Sequence, residues 1–336
     1  MLDADFKPYY PVNVTNTAAH GGRMSNNMIV SGASENVFRN KSSADRAAGV
    51  IEYEKVFAKA ADDADATLVV SKAYLGKVTE GDDWGTIFAA TQTDTLAAIT
   101  GWETGADSKT KYGVAAVTTN VAAASSTIKV TVKNAKLLAA GVDTIFRVGD
   151  EICLADNANA EFLEISALAE SGLEITITTT TAISRDYTVA ASSRVSSVMP
   201  IGTIETGSTA VGHTGGADYD HDGYAPLLDN IGTTYEQLLF TFGDATNFSV
   251  TGDSITGSLG SGTVGSDFVI TNAALSKPMA TFYSEGWGGL TIAGGDTFTV
   301  QLTPAAAPIW EKRETPAGAA RTSYSNMNLV VTGEVA

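Results

Sequence analysis

Apolar and polar residues alternate with a period of two over short stretches of this chain. Thr127–Val132 reads TIKVTV and Leu173–Thr178 reads LEITIT. Alternation carried by β-branched residues places one side of a strand on a core and the other in water, so these stretches predict half-buried strands. Gly, Asn, Asp and Ser punctuate such runs at the intervals expected of sandwiches and barrels. Helical stripes are scarce. The best helix candidate, Ser43–Lys59, is interrupted by Gly49, and Ile51, Tyr53 and Phe57 fit a period of two, which predicts a strand entering at about Val50. The expected fold class is all-β: β-sandwich or barrel domains with an extended N-terminal arm.

Four segments follow from the pattern. Residues 1–25 hold Pro8, Pro11 and Gly21-Gly22 with no apolar period, which predicts an extended arm held against a neighbouring subunit. Residues 26–112 form a β domain with strands expected at Met28–Val30, Val50–Phe57, Thr67–Tyr74 and Thr86–Ala89. Residues 113–199 predict a small barrel-like domain, with strands at Thr127–Val132, Ile145–Leu154, Glu161–Ile165, Leu173–Thr179 and Tyr187–Val189 and a tight turn at Gly149-Asp150. Residues 200–336 open on a Gly- and Asp-rich loop and continue as a C-terminal β-sandwich with strands near Leu238–Phe242, Phe248–Thr251, Asp267–Thr271, Thr281–Tyr283, Thr297–Leu302 and Asn328–Val331. No fixed-period repeat spans the chain, which argues against a solenoid or propeller.

Composition narrows the function classes. The chain has 336 residues, 18% of them charged and 44% apolar, with 21 Lys and Arg against 38 Asp and Glu, a net charge of −17. A surface that acidic repels phosphate, so sequence-specific nucleic-acid binding is not expected. No apolar run approaches the ~18–20 residues needed to cross a bilayer, so no membrane partner is expected. The start, MLDADFKPYYP, has no basic-then-apolar pattern, so no secretory signal is expected either. Cys153 is the only cysteine, which excludes an internal disulfide and a cysteine-rich zinc module. Between Arg194 and Lys277 there is no Lys or Arg but there are nine Asp and Glu. This stretch is either a solvated acidic face or a surface docking onto a basic neighbour or a cation.

Candidate chemistry is sparse. There is no G-x-S-x-G elbow, and Cys153 sits in the apolar run Ile152-Cys153-Leu154, where a buried structural thiol is expected. With His20, His213 and His221 the only histidines, no enzymatic activity is expected. Gly257–Gly265 is glycine-rich but lacks the Gly-Lys-Ser/Thr of a phosphate loop, and is expected to be a flexible connection. One local pattern has ligand spacing. In DYDHDGYAPLLD, Asp218, Asp220 and Asp222 occupy positions one, three and five of a calcium loop, Gly223 position six, Tyr224 would offer its carbonyl, and Asp229 stands at twelve. Calcium wants hard anionic oxygens, which this spacing can gather. Position twelve is Asp instead of Glu, and Gly215-Gly216 and Pro226 do not make flanking helices, so the alternative is an acidic turn whose aspartates cap backbone amides. Trp287 and Trp310 are expected in the core, with exposed interface anchors as the alternative. The cluster Glu311-Lys312-Arg313-Glu314 is expected to be a solvated strand end or a partner for an acidic neighbour.

The chain resembles virion structural proteins of tailed bacteriophages of the neck, collar or tail-associated kind. Met28–Phe38 (MIVSGASENVF) followed by Ala44–Phe57 (ADRAAGVIEYEKVF) looks like the opening of such proteins. Gly257–Phe268 (GSLGSGTVGSDF), Gly286–Leu302 (GWGGLTIAGGDTFTVQL) and Ala307–Arg321 (APIWEKRETPAGAAR) are similar to their last third. Together these stretches cover about half the chain and contain turns and strands, with no catalytic residue among them. The resemblance implies a non-enzymatic building block located in the virion, made in the host cytoplasm. It would contact other copies of itself in a homo-oligomeric ring, and other virion proteins. A capsid-surface decoration protein and a calcium-dependent host-surface adhesion module are the alternatives.

Overall fold

The computed structural model describes residues 6–33, 35–99, 101, 108–322 and 326–336. Its elements run β1 (Phe6–Asn13), β2 (Gly21–Met28), a short helix α1 (Ser43–Ala48), β3 (Val50–Ala60), β4 (Leu68–Leu75) and β5 (Trp84–Ala89). The middle of the chain forms β6 (Tyr112–Val117), β7 (Thr127–Thr131), β8 (Glu151–Ala155), β9 (Ala160–Ser171), β10 (Glu174–Thr179) and β11 (Arg194–Ser197). There follow β12 (Met199–Ile204), β13 (Gly207–Thr214), β14 (Leu227–Leu228), β15 (Glu236–Phe242), β16 (Asn247–Gly252), β17 (Ser258–Thr263) and β18 (Phe268–Asn272). The last are β19 (Lys277–Phe282), β20 (Thr297–Thr303), β21 (Ala306–Thr315) and β22 (Leu329–Val335). The protein is all-β, as the alternation predicts.

Six of the middle strands close on themselves. The order β11-β8-β9-β10-β7-β6 is completed by a β11–β6 pairing, which makes a barrel with no free edge. Alternation explains its filling. On β7 Ile128 and Val130 are buried between exposed neighbours, and on β10 Ile175 and Ile177 are buried between half-buried ones. These side chains meet Ile152, Leu154, Ile165, Tyr187 and Val195 in one apolar core. The predicted turn forms at Gly149, which has φ +88°, a conformation glycine adopts at no steric cost.

Beyond β6 the same ribbon continues as β5-β21-β3-β1-β2. A three-stranded sheet, β12-β4-β22, packs against it around Val56, Ala73, Leu75, Ile87, Met199 and Ile309. The C-terminal strands make a second sandwich from the five-stranded sheet β13-β20-β15-β16-β17 and the three-stranded sheet β14-β19-β18. Its core is aromatic: Phe240, Phe242, Phe248, Phe282 and Phe298 surround Trp287 and Tyr219. The Trp287 ring stands at 90° to Phe298 with centroids 5.6 Å apart, an edge-to-face contact that adds to simple burial.

The structure departs from expectation in several places. Tyr187–Val189 makes only an isolated bridge, Val121↔Tyr187, before a short 3-10 turn, and the strand expected over Ile145–Leu154 begins only at Glu151. The N-terminal residues are extended, but what holds them is their own chain: β1 and β2 form a hairpin, and β1 pairs with β3 from Phe6↔Ala60 to Tyr9↔Phe57. Their lack of period is explained by register shifts on either side of Pro11, where a residue with no N–H cannot serve the ladder. The glycine-rich stretch taken as a connection contains β17, paired with β16 from Asn247↔Thr263 to Thr251↔Ser258. The loop expected after residue 200 is instead largely β12 and β13. Ser43–Lys59 resolves as foreseen at Gly49: α1 stops there at φ +78° and β3 begins at Val50. Ser42 and Asp45 form a capping box on that one-and-a-half-turn helix.

Candidate functional site

Of the predicted calcium residues, Asp218, Asp220, Asp222 and Tyr224 lie on the connection between β13 and β14 and Asp229 just after β14; Asp218, Asp220 and Asp229 have protein partners. Tyr219 anchors this connection in the aromatic core, 2% exposed. Its hydroxyl donates to the Tyr224 carbonyl at 2.8 Å and accepts from the Tyr283 N–H at 3.2 Å. The packing is tight enough that a Cβ on Gly286 would overlap the Tyr219 ring. Asp218 pairs with His213 at 3.2 Å, Asp220 Oδ1 accepts from the Gly223 N–H at 3.0 Å, and Asp222 is exposed. Asp229 Oδ1 accepts from Ile231 and Gly232 N–H groups at 2.8 and 2.6 Å. The sequence brings the four aspartates into one loop region, but their oxygens cap separate backbone amides or face separate partners. Among the described residues no group of three or more His, Cys, Asp and Glu is placed to hold a metal. The donor set therefore does not fit a calcium ion in this arrangement. The local geometry is that of Asx turns, in which a short carboxylate satisfies amides two or three residues on. His221 bonds Ser208 at 2.9 Å.

Many of the charged side chains that the chain buries lie elsewhere, on β21 and the segments beside it. β21 runs between β3 and β5, paired to β3 over ten positions from Ala306↔Lys59 to Thr315↔Val50. Glu311, Lys312, Arg313 and Glu314 are 5%, 2%, 8% and 7% exposed, so the cluster is not a solvated strand end. A strand with neighbours on both edges has little solvent to offer, and three of the four charges meet an opposite charge instead. Lys312 Nζ meets Asp143 at 2.7 Å, and Glu314 meets Lys136 at 2.5 Å. Arg313 donates to Glu52 at 2.9 Å from Nη2. Glu311 faces Glu54 across the β21–β3 ladder. Complete burial, with Glu54 adding to it, pushes the Glu311 carboxyl up to about 7.

One strand over, Lys55 is also sealed off. Its Nζ meets Asp94 Oδ1 at 2.5 Å and donates to the Gly22 carbonyl at 2.7 Å and the Asp94 carbonyl at 3.0 Å. Burial pushes its ammonium down, against the pull of Asp94. Trp310 Nε1 donates to Asp94 Oδ2 at 3.2 Å, so Asp94 gathers β3, β21 and the β2 hairpin. Gly21, at φ +104°, makes room there: a Cβ would come within 2.8 Å of the Asp94 carbonyl. His20 lies 1% exposed beside Trp310 and pairs with Glu54 at 3.1 Å. Trp287 and Trp310 are thus core residues, as expected, and not surface anchors.

Sequence inspection missed Lys55, Lys59, Asp94, Lys111 and Asp143, all buried. One signal was present: Lys55 and Lys59 sit four apart on the same side of a strand that otherwise reads VFA, where a solvated face would carry several polar residues. Cys153 is buried, and burial pushes its thiol up, away from the thiolate a nucleophile needs.

No family model matches this chain, and no curated protein matches it. Among solved structures, the VP16-VP17 complex of the two major capsid proteins of bacteriophage P23-77 is similar over 93% of this chain and 95% of that one, at 9% identity and a TM-score of 0.20. Agreement at that level carries no argument about fold or function.

Proposed function

We propose that this protein is a non-enzymatic structural component of a tailed-phage particle, a ring-forming neck, collar or tail protein held by subunit contacts. The observation that carries this reading is the pairing of β3 with β21. Two of the stretches that resemble such proteins, ADRAAGVIEYEKVF and APIWEKRETPAGAAR, are about 250 residues apart, yet they pair as one continuous ladder in which Arg313 meets Glu52. Residues that carry the resemblance are therefore the frame of the fold, as in a part selected for shape and assembly. Free edges remain for contacts between copies. β13 is exposed along six of its eight residues, with Val211 54% exposed, and β17 ends the same sheet. Cyclic rings are built from such heterologous, head-to-tail contacts.

Antibody labelling of particles, or a map of the intact virion, tests the assignment. Signal confined to the head–tail junction or the tail supports it. Copies spread over the shell would replace it with a decoration protein, and chelator-sensitive binding of the purified protein to host cells would replace it with an adhesion module.

A further inference from the structure

A cleft of about 360 Å³ opens where α1, the end of β21 and the segment after it converge. Its charged lining is Lys41, Arg46, Arg313 and Arg321 together with Asp82 and Asp83. Counter-charge among the basic groups is shared. Arg39, Lys41 and Arg313 all pair with a single carboxylate, Glu52. Burial first, with Arg313 and Arg39 pushing the same way, lowers the Lys41 ammonium to about 8. The acidic groups are partly spent: Asp82 Oδ2 accepts from the Ala320 N–H at 2.8 Å, and Asp83 is 8% exposed. A second observation is independent of charge. Thr315, 4% exposed, lines the cleft, and its hydroxyl is buried with no hydrogen-bond partner. A buried donor without an acceptor is costly, so such groups are kept where something completes them.

We propose that this cleft is an oxyanion site, which takes a phosphate or carboxylate group between Lys41, Arg46, Arg313 and Arg321 with the Thr315 hydroxyl as a neutral donor. Guanidinium forks match two oxygens of such a group at once, and the ammonium supplies a point charge. The group has two possible sources: free inorganic phosphate, or a carboxylate from the Lys- and Arg-free stretch of a second copy. The site does not depend on the particle assignment above, and a wrong location in the virion would leave it standing.

Calorimetric titration of the full-length protein with inorganic phosphate, at ionic strength held constant with chloride, tests it. Saturable binding with one site per chain is expected. Arg321→Ala, at an exposed position, should weaken it about tenfold, Thr315→Val several-fold, and Asp82→Asn should tighten it by removing an opposing charge. Absence of saturable binding, or affinity unmoved by all three substitutions, overturns the proposal. Sedimentation separates the sources. If phosphate dissociates self-associated protein, and Arg321→Ala does the same, the site takes a second copy's carboxylate. If binding leaves the association state unchanged, it takes the free anion.

Discussion

Lys312 Nζ lies 2.7 Å from Asp143 Oδ2, with the two side chains 2% and 0% exposed. Lys312 belongs to β21 and Asp143 to the loop ahead of β8, so a buried ion pair fastens the closed barrel to the long sheet. Its worth is best judged by what happens when half of it is removed. Lys312→Met leaves a carboxylate in a site with no water and should destabilise the protein by about 3–5 kcal/mol. The double variant Lys312→Met/Asp143→Leu should recover most of that loss, since an apolar pair of similar volume costs little. Urea denaturation of the four members of the cycle measures it; a double variant no better than Lys312→Met would sink the argument.

The Glu311 carboxyl makes stability depend on pH in an unusual direction. It is held at about 7 in the folded chain against 4.5 in the unfolded one. The folded state therefore keeps a proton that the unfolded state has released, and stability falls as pH rises from 4.5 through 7. Glu311→Gln removes that dependence. The stability difference between Gln variant and parent should grow across this window by on the order of 3 kcal/mol and stay level above it. Denaturation at pH 4.5, 6 and 8 gives the slope; a difference that is flat with pH is incompatible with the buried carboxyl.

The N-terminal hairpin is part of the fold. Removing residues 1–25 takes away Tyr9, His20 and Met24, all buried, and uncovers Phe57 and the β3 edge. Burial of Tyr9 and Met24 alone contributes roughly 3–6 kcal/mol, a large share of a typical domain's stability. The truncated protein should melt well below the full chain and aggregate through the exposed edge. Truncated protein with unchanged stability would show that the hairpin is dispensable.

Asp229 stabilises a turn. Asp229→Ala leaves the Ile231 and Gly232 amides without their acceptor and should cost about 2 kcal/mol, whereas Asp229→Asn keeps an oxygen there and should cost less. Because the carboxylates are committed to these amides, the melting temperature should be the same in excess calcium and in chelator. A rise of several degrees in calcium, lost in Asp229→Ala, would mean the loop rearranges around the ion.

The strands that bury one face were legible because period two is a direct image of that environment: TIKVTV and LEITIT became β7 and β10. Strands in other environments carry no such image. β21 is enclosed by its neighbours, so nine of its ten positions are buried, and four of these are charged because their partners lie on segments distant in sequence. β17, written SLGSGT, has little side chain to alternate, and its ladder with β16 is made by backbone alone. The acidic loop shows the opposite case. Its spacing was visible, but spacing cannot tell convergence on an ion from capping of nearby amides, since both use the same short carboxylates. Tyr219, which anchors the loop by packing inward, is an ordinary tyrosine to the eye.

Closing the barrel through β11 and β6 brings the two ends of its segment side by side. Arg194 to Ser196 pair with Ala116 to Val114, and Ser197 Oγ accepts from the Gly113 N–H at 2.8 Å. The chain thus leaves this segment beside the point where it came in, with β5 already bonded to β6 and β12 following β11 directly. A unit with that geometry is a cassette: about eighty residues enter and leave through one hydrogen-bonded stem, and beyond it a few pairs, Lys312–Asp143 and Lys136–Glu314 among them, tie their content to the sheet that carries them. The same stem could carry a larger barrel, a different one, or a short hairpin, and the long sheet would keep its order of strands from β5 through β21 to β2.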